Sequence, residues 1–185
     1  MSGSQGAAPT KLTTTIMIVA PHEVQAVAVP LLRRYAPDTL TRVPAHLTIL
    51  YPFVAYERLD EACAKLVSIC AEIAPFEITM EGYGEFPSAL YMTPRNPQPI
   101  KRVFHRVYRD FPECLPYGGA FGDDLTPHMT VGEFETPEEL HGAKAALPRY
   151  APITFRATRL HVLYGIDHIA LPWITHAVIP LGGAR

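Results

Sequence analysis

The chain has 185 residues, of which 48% are apolar and 18% charged, and its formal net charge is −2. This composition excludes a disordered polyelectrolyte and suits one large domain, or two small lobes sharing a core. A pI near 6.4 argues against a nucleic-acid binder that works by broad phosphate neutralisation, and no DNA partner is expected, while a small anionic ligand held locally remains compatible.

In chain order, residues 1–12 are mostly small and polar and are expected to form a disordered tail. Residues 13–20 are β-branched and apolar and read as a buried strand. The run 16–20 is too short for a membrane span and has no charged leader, so neither membrane insertion nor export is expected. Residues 24–35 carry apolar side chains at helical spacing (Val24, Val27, Ala28, Leu31, Leu32), with Pro30 expected to kink or split the helix. Residues 41–53 read as a strand. Residues 58–73 form the clearest helix, with Leu59, Ala62, Cys63, Leu66, Ile69, Cys70 and Ile73 on one stripe and Pro75 ending it.

Residues 76–86 and 89–93 read as a hairpin around Pro87-Ser88. Asn96-Pro97 opens an amphipathic helix that continues to Phe111. Residues 112–127, rich in Gly and Pro, read as a long loop of a length that often carries function. A strand follows. Thr136-Pro137-Glu138-Glu139 is a capping box starting a helix to about residue 147. Residues 153–164 and 174–181 complete the chain as two strands paired around residues 165–173. The second half thus echoes the first without its opening strand. An α+β fold with two similar lobes is expected, forming one bilobal domain over residues 13–185.

The three cysteines are odd in number and contain no C-x-x-C, which fits a reduced, cytoplasmic protein without disulfides.

Two segments repeat a pattern. One reads His46-Leu47-Thr48-Ile49, the other His128-Met129-Thr130-Val131. On a strand, side chains alternate faces, so each segment puts an imidazole and a hydroxyl on one side and two apolar anchors on the other. A lone His-x-Thr is a weak signal and commonly marks a hydrogen-bonded pair on a sheet. Two of them, in strand patterns at matching places in the two half-units, favour catalysis. In-line cleavage of a phosphodiester needs a base on one side and an acid on the other, and imidazole serves both near neutrality. Threonine hydroxyls can hold the non-bridging oxygens.

Of the remaining histidines, His105 and His141 are expected at the surface, while His161 and His176 lie on strands as lesser cleft candidates. A metal site using Asp123 and Asp124 with His128 is the competing chemistry. No H-x-H, H-E-x-x-H or cysteine pair supports it, so no metal or cofactor is expected.

The paired motifs resemble those of the 2H phosphoesterase superfamily, which includes bacterial 2'-5' RNA ligases and cyclic nucleotide phosphodiesterases. The resemblance runs from about Thr13 to Leu181 in motif spacing and element order. It implies a bilobal α+β fold with pseudo-two-fold symmetry, two mainly antiparallel sheets flanked by helices, and a metal-independent site in a central cleft. It maps the catalytic histidines onto His46 and His128 and the hydroxyl residues onto Thr48 and Thr130. The implied activity is hydrolysis of a cyclic phosphodiester on a nucleotide or RNA end, or of a related cyclic or 2'-5' linkage. Ligation of RNA and non-catalytic nucleotide binding are the alternatives. A small nucleotide or RNA-end substrate and a monomer are expected. Ligase-type members carry an Arg after the second motif where this chain has Gly132-Glu133, and an acidic group there would weaken attraction for phosphate. Arg42 is a candidate to supply positive charge instead, and Phe86, Tyr91 and Tyr164 are candidates to stack on a base or shape the pocket.

Overall fold

A computed structural model describes residues 11–120, 122, 124–167 and 169–182. All but two residues of the expected tail lie outside the described part, as does Asp123. The elements in order are β1 (Thr13–Val19), α1 (His22–Tyr35), α2 (Pro37–Arg42), β2 (His46–Leu50), α3 (Leu59–Ala71), β3 (Phe76–Phe86), β4 (Ala89–Pro94), α4 (Gln98–Asp110), β5 (Met129–Glu133), α5 (Pro137–Ala145), β6 (Ile153–Ala157), β7 (Arg159–Gly165) and β8 (Ile174–Pro180). Short 3-10 turns occupy Tyr56–Arg58 and Pro116–Gly119.

The strands form two four-stranded antiparallel sheets, β2-β1-β7-β8 and β5-β4-β3-β6. Each motif strand sits at one edge of its own sheet. The unit β1–helix–β2 is matched by β4–α4–β5, which is the expected pseudo-two-fold relationship. The helices cross-brace the two sheets. α1 packs against β5 and α4 against β2, while β2 and β5 adjoin each other at the seam.

The lobes are not the two halves of the chain, as the element order alone suggests. Residues 153–164, which read as one strand, break at Thr158. β6 joins the sheet of the second motif, and β7 the sheet of the first. The hairpin β3–β4, from the first half, likewise lies in the second motif's sheet. Helix α1 also differs from expectation, because it runs unbroken through Pro30. Pro30 and Ala26, whose carbonyl loses its donor, both lie on the exposed face, so water can satisfy that carbonyl. Val24, Ala28, Leu31 and Leu32 are buried on the other face and hold the helix on its course. Helix α2 is an addition to the elements read from sequence. Its cues are Pro37 at the first turn and Asp38 beside it. The capping box at Thr136 is present in full.

One continuous core lies between the sheets and the helices. Leu47, Ile49, Met129 and Val131 are each 0% exposed, so both motif strands are anchored through alternate side chains, while His46, Thr48, His128 and Thr130 stay partly exposed.

Candidate active site

The first motif lies in a sheet whose register sets its neighbours. Thr48 is opposite Met17, and His46 is opposite Val19. Directly opposed residues share a face. Met17, Leu163 and Val43 form a second apolar cluster, with Val19 and Trp173 against it, separate from the main core. This cluster floors the cleft from which His46 and Thr48 project.

The two imidazoles are held in the same way. Nδ1 of His46 donates to the carbonyl of Pro44 at 2.8 Å, and Nδ1 of His128 donates to the carbonyl of Thr126 at 2.8 Å. In each motif the acceptor is the carbonyl two residues earlier. A carbonyl only accepts, so Nδ1 must carry the proton and Nε2 of each neutral ring is a lone-pair acceptor. Neither Nε2 is hydrogen-bonded to a described residue. Burial lowers the pKa of His46, the Pro44 hydrogen bond partly offsets this, and the proximity of His128 lowers it further. Burial likewise lowers that of His128 against the opposing effect of Thr126. Both rings are therefore biased toward the neutral form, and the motif strands β2 and β5 adjoin each other at the seam.

Around His128 the structure gathers two of the aromatic candidates. The Phe86 ring meets the imidazole edge-on at 4.9 Å between centroids, and Tyr91 lies at 5.4 Å. Tyr91 stands opposite Thr130 in the register and its ring covers Gly84, where any Cβ would collide with it.

Around Thr48 lie residues that the sequence reading did not single out. The hydroxyls of Thr48 and Tyr117 are hydrogen-bonded, and burial keeps the Tyr117 phenol protonated. Tyr117 sits in the long loop with a left-handed φ of 50°. Its amide donates to the Tyr51 carbonyl at 2.6 Å, and the two rings are 5.7 Å apart. Tyr51 also contacts Trp173 at 6.4 Å, and its pKa is raised by burial and, after that, by a hydrogen bond to the Asp167 side chain. The available cue was the Pro-Tyr-Gly-Gly of the loop, whose two glycines permit the left-handed turn that brings Tyr117 inward.

The other candidates are placed differently. Arg42 is committed to protein partners, with Nη1 donating to the Asp167 carbonyl and Nη2 to the Thr39 hydroxyl at 3.0 Å. Tyr164 lies on the opposite face of its sheet, against Tyr56 at 4.7 Å and His176 at 6.2 Å. His176 in turn pairs with Asp60 at 3.0 Å. His161 shares the cleft face, being opposite Met17. His105 and His141 are exposed. Asp124 is engaged by Lys101 at 2.6 Å. Among the described residues, no group of three or more His, Cys, Asp or Glu side chains is placed to hold a metal ion. No described helix is long and apolar enough to cross a membrane.

Two lobes, each offering a His-x-Thr strand to a shared cleft, define a 2H phosphoesterase-like fold. The chain belongs to the 2'-5' RNA ligase superfamily, whose family model matches residues 19–168. It is similar to a curated protein of Geobacillus kaustophilus bearing the name "putative phosphoesterase", with 24% identity over 91% of this chain and 95% of the relative. Its fold is similar to that of TT0787 of Thermus thermophilus, with a TM-score of 0.67, 18% identity, and coverage of 94% of this chain and 100% of that one. It is also similar to LigT of E. coli in complex with 3'-AMP, with a TM-score of 0.59, 13% identity, and coverage of 92% and 98%. LigT has further been solved with NADP+, ATP and phosphate.

Proposed function

We propose that this protein opens a cyclic phosphodiester on a nucleotide or RNA end by paired histidine acid–base catalysis. The observation that carries the reading is the matched anchoring of His46 and His128. Each ring is locked through Nδ1 to the backbone just ahead of its own strand, which leaves Nε2 to exchange a proton with substrate. LigT's complexes with 3'-AMP and phosphate support a nucleotide monophosphate as the class of ligand.

In the forward direction His128 takes a proton from water as the oxygen attacks phosphorus. The bond from phosphorus to one ribose oxygen breaks, and His46 delivers its proton to that oxygen. One ring must enter neutral and the other protonated. The lowered pKa values supply the neutral base readily, and the negative charge of an arriving phosphate raises the affinity of the second ring for its proton. Thr48 and Thr130 donate to the non-bridging oxygens. Phe86 and Tyr91, beside His128, offer rings to a base or ribose. Joining of a 2',3'-cyclic end to a 5'-hydroxyl is the reverse of the analogous cleavage and uses the same two groups with their roles exchanged.

The test is a panel of 2',3'-cyclic nucleotides, ADP-ribose cyclic phosphate and 2'-5' oligoadenylate followed by phosphorus NMR. Turnover that disappears in both His46→Ala and His128→Ala supports the reading. Tight binding of the panel without turnover would replace it with a binding module.

A further inference from the structure

The cleft face continues past the two motifs to a cavity of about 280 Å3, where the chain crosses between sheets at Thr158. Val19, Phe155, Arg156, Arg159 and His161 are among its lining residues, and no carboxylate is. The larger cavity, about 510 Å3, has the opposite character, with Glu133, Glu135 and Glu139 in its wall. Among the described residues neither Arg156 nor Arg159 has an ion-pair partner, although Glu77 stands opposite Arg156 in the sheet. Arg159 makes only a long 3.4 Å bond to the neighbouring Thr158 hydroxyl. Nδ1 of His161 is enclosed without a partner, a state that buried polar atoms seldom tolerate.

The register connects this cavity to the histidine pair. His161 is in one row with Met17 and Thr48. The pairing of β1 with β7 ends there, and beyond it Val19 and Arg159 both line the cavity, with His46 opposite Val19 on its other side. At least two strand spacings, about 9–10 Å of backbone, therefore separate Arg159 from His46. One nucleotide unit and an extended guanidinium bridge such a gap.

We propose that Arg156, Arg159 and His161 form a second phosphate subsite, which holds the next phosphate of a nucleotide whose terminal phosphodiester lies between His46 and His128. The assignment rests on the reading above for its substrate. It makes the preferred substrate a nucleotide chain rather than a bare nucleoside cyclic phosphate. Both guanidiniums present paired donors suited to phosphate oxygens.

The test compares three substrates: a nucleoside 2',3'-cyclic phosphate with a free 5'-hydroxyl, the same molecule 5'-phosphorylated, and a dinucleotide ending in the cyclic phosphate. The wild-type protein should favour one or both of the latter two by about 10- to 100-fold in kcat/KM. Which one is favoured tells a phosphomonoester subsite from an internucleotide one. Arg156→Ala/Arg159→Ala should abolish that preference and leave the nucleoside substrate unchanged. Arg33→Ala/Arg34→Ala removes equal charge from the exposed face of α1 and should preserve the preference. No preference in the wild-type protein, or equal losses in the two double variants, overturns the proposal. If no substrate is turned over, the proposed activity fails, and the subsite is judged separately by calorimetry with a 5'-phosphorylated dinucleotide lacking the cyclic end. Weaker binding in Arg156→Ala/Arg159→Ala alone supports the subsite, and unchanged binding overturns it.

Discussion

The Thr39 hydroxyl donates to the Glu133 carboxylate at 2.8 Å, a bond that ties α2 to the strand of the second motif. The same oxygen accepts from Arg42. Glu133 occupies the place where an acidic group was expected to repel phosphate. Its carboxylate is instead engaged by Thr39 and faces the larger cavity with Arg34 and Glu139.

Replacing Thr39 with valine keeps the shape but removes both bonds. The expected cost is about 1 kcal/mol, which for a chain of this size lowers Tm by about 2–4 °C. A thermal melt monitored by circular dichroism measures it. An unchanged Tm would show that the bond contributes nothing to holding the two elements together.

His46→Ala and His128→Ala should each reduce kcat by about 100- to 10,000-fold on any cyclic phosphate that the wild-type protein opens. Folding should be retained, because the apolar anchors Leu47, Ile49, Met129 and Val131 are untouched. Steady-state assays of folded variants check this, and full activity in either would exclude that ring from the chemistry.

The pH dependence has a defined sign. The free protein lowers both histidine pKa values from the ordinary 6.5, and one ring must still enter protonated, so the bell in kcat/KM against pH should have its maximum below pH 6.5 and fall on both sides of it. Stability follows the same shifts. Between 6.5 and the lowered folded values the unfolded chain binds more protons, so stability is complete above 6.5 and declines as pH falls through that window. Urea melts of wild type and of His46→Gln/His128→Gln separate this contribution from the carboxylates. The double variant should lose less stability between pH 7 and pH 5.

Gly84→Ala places a methyl group where the Tyr91 ring lies, and the ring must move from beside His128. Displacement of a positioning group by about 1 Å can cost about 100-fold in rate. The prediction is a clear fall in kcat with a folded protein, accompanied by a changed His128 imidazole signal in NMR. An unaltered His128 signal would contradict the packing described.

Tyr117→Phe removes the hydroxyl paired with Thr48. With one hydrogen bond worth about 0.5–1.5 kcal/mol net, activity should fall up to about tenfold while Thr48→Val, which also removes the hydroxyl proposed to hold a phosphate oxygen, falls further. The ratio of the two variants measures how much of Thr48's role depends on Tyr117.

The motif geometry was legible because it depends on strand periodicity alone. Alternation put His46 and Thr48 opposite Leu47 and Ile49 without any knowledge of the partners. The placement of Tyr164 was not legible in the same way. Whether a residue on β7 faces the cleft is fixed by its pairing with β1, and Tyr164 is opposite the buried Thr14, one position out of phase with His161 and Met17. Thr158 was also hidden. The residues on both sides of it have strand character, and only the pairing of β6 with β3 and of β7 with β1 reveals the switch between sheets. The continuity of α1 through Pro30 depended on which face meets solvent, which tertiary packing decides.

The exchange of hairpins between the sheets bears on how the molecule comes into being. Neither sheet can be assembled from the amino-terminal or the carboxyl-terminal portion alone, since each takes two strands from each portion. Emerging from the ribosome, β1 and β2 must wait for the last thirty or so residues before their sheet is whole, so assembly is a late, long-range event of the slow kind. Two polypeptides cut between β4 and α4 would each hold unfinished edges that only the other can complete, which makes the pair candidates for reassembly in trans.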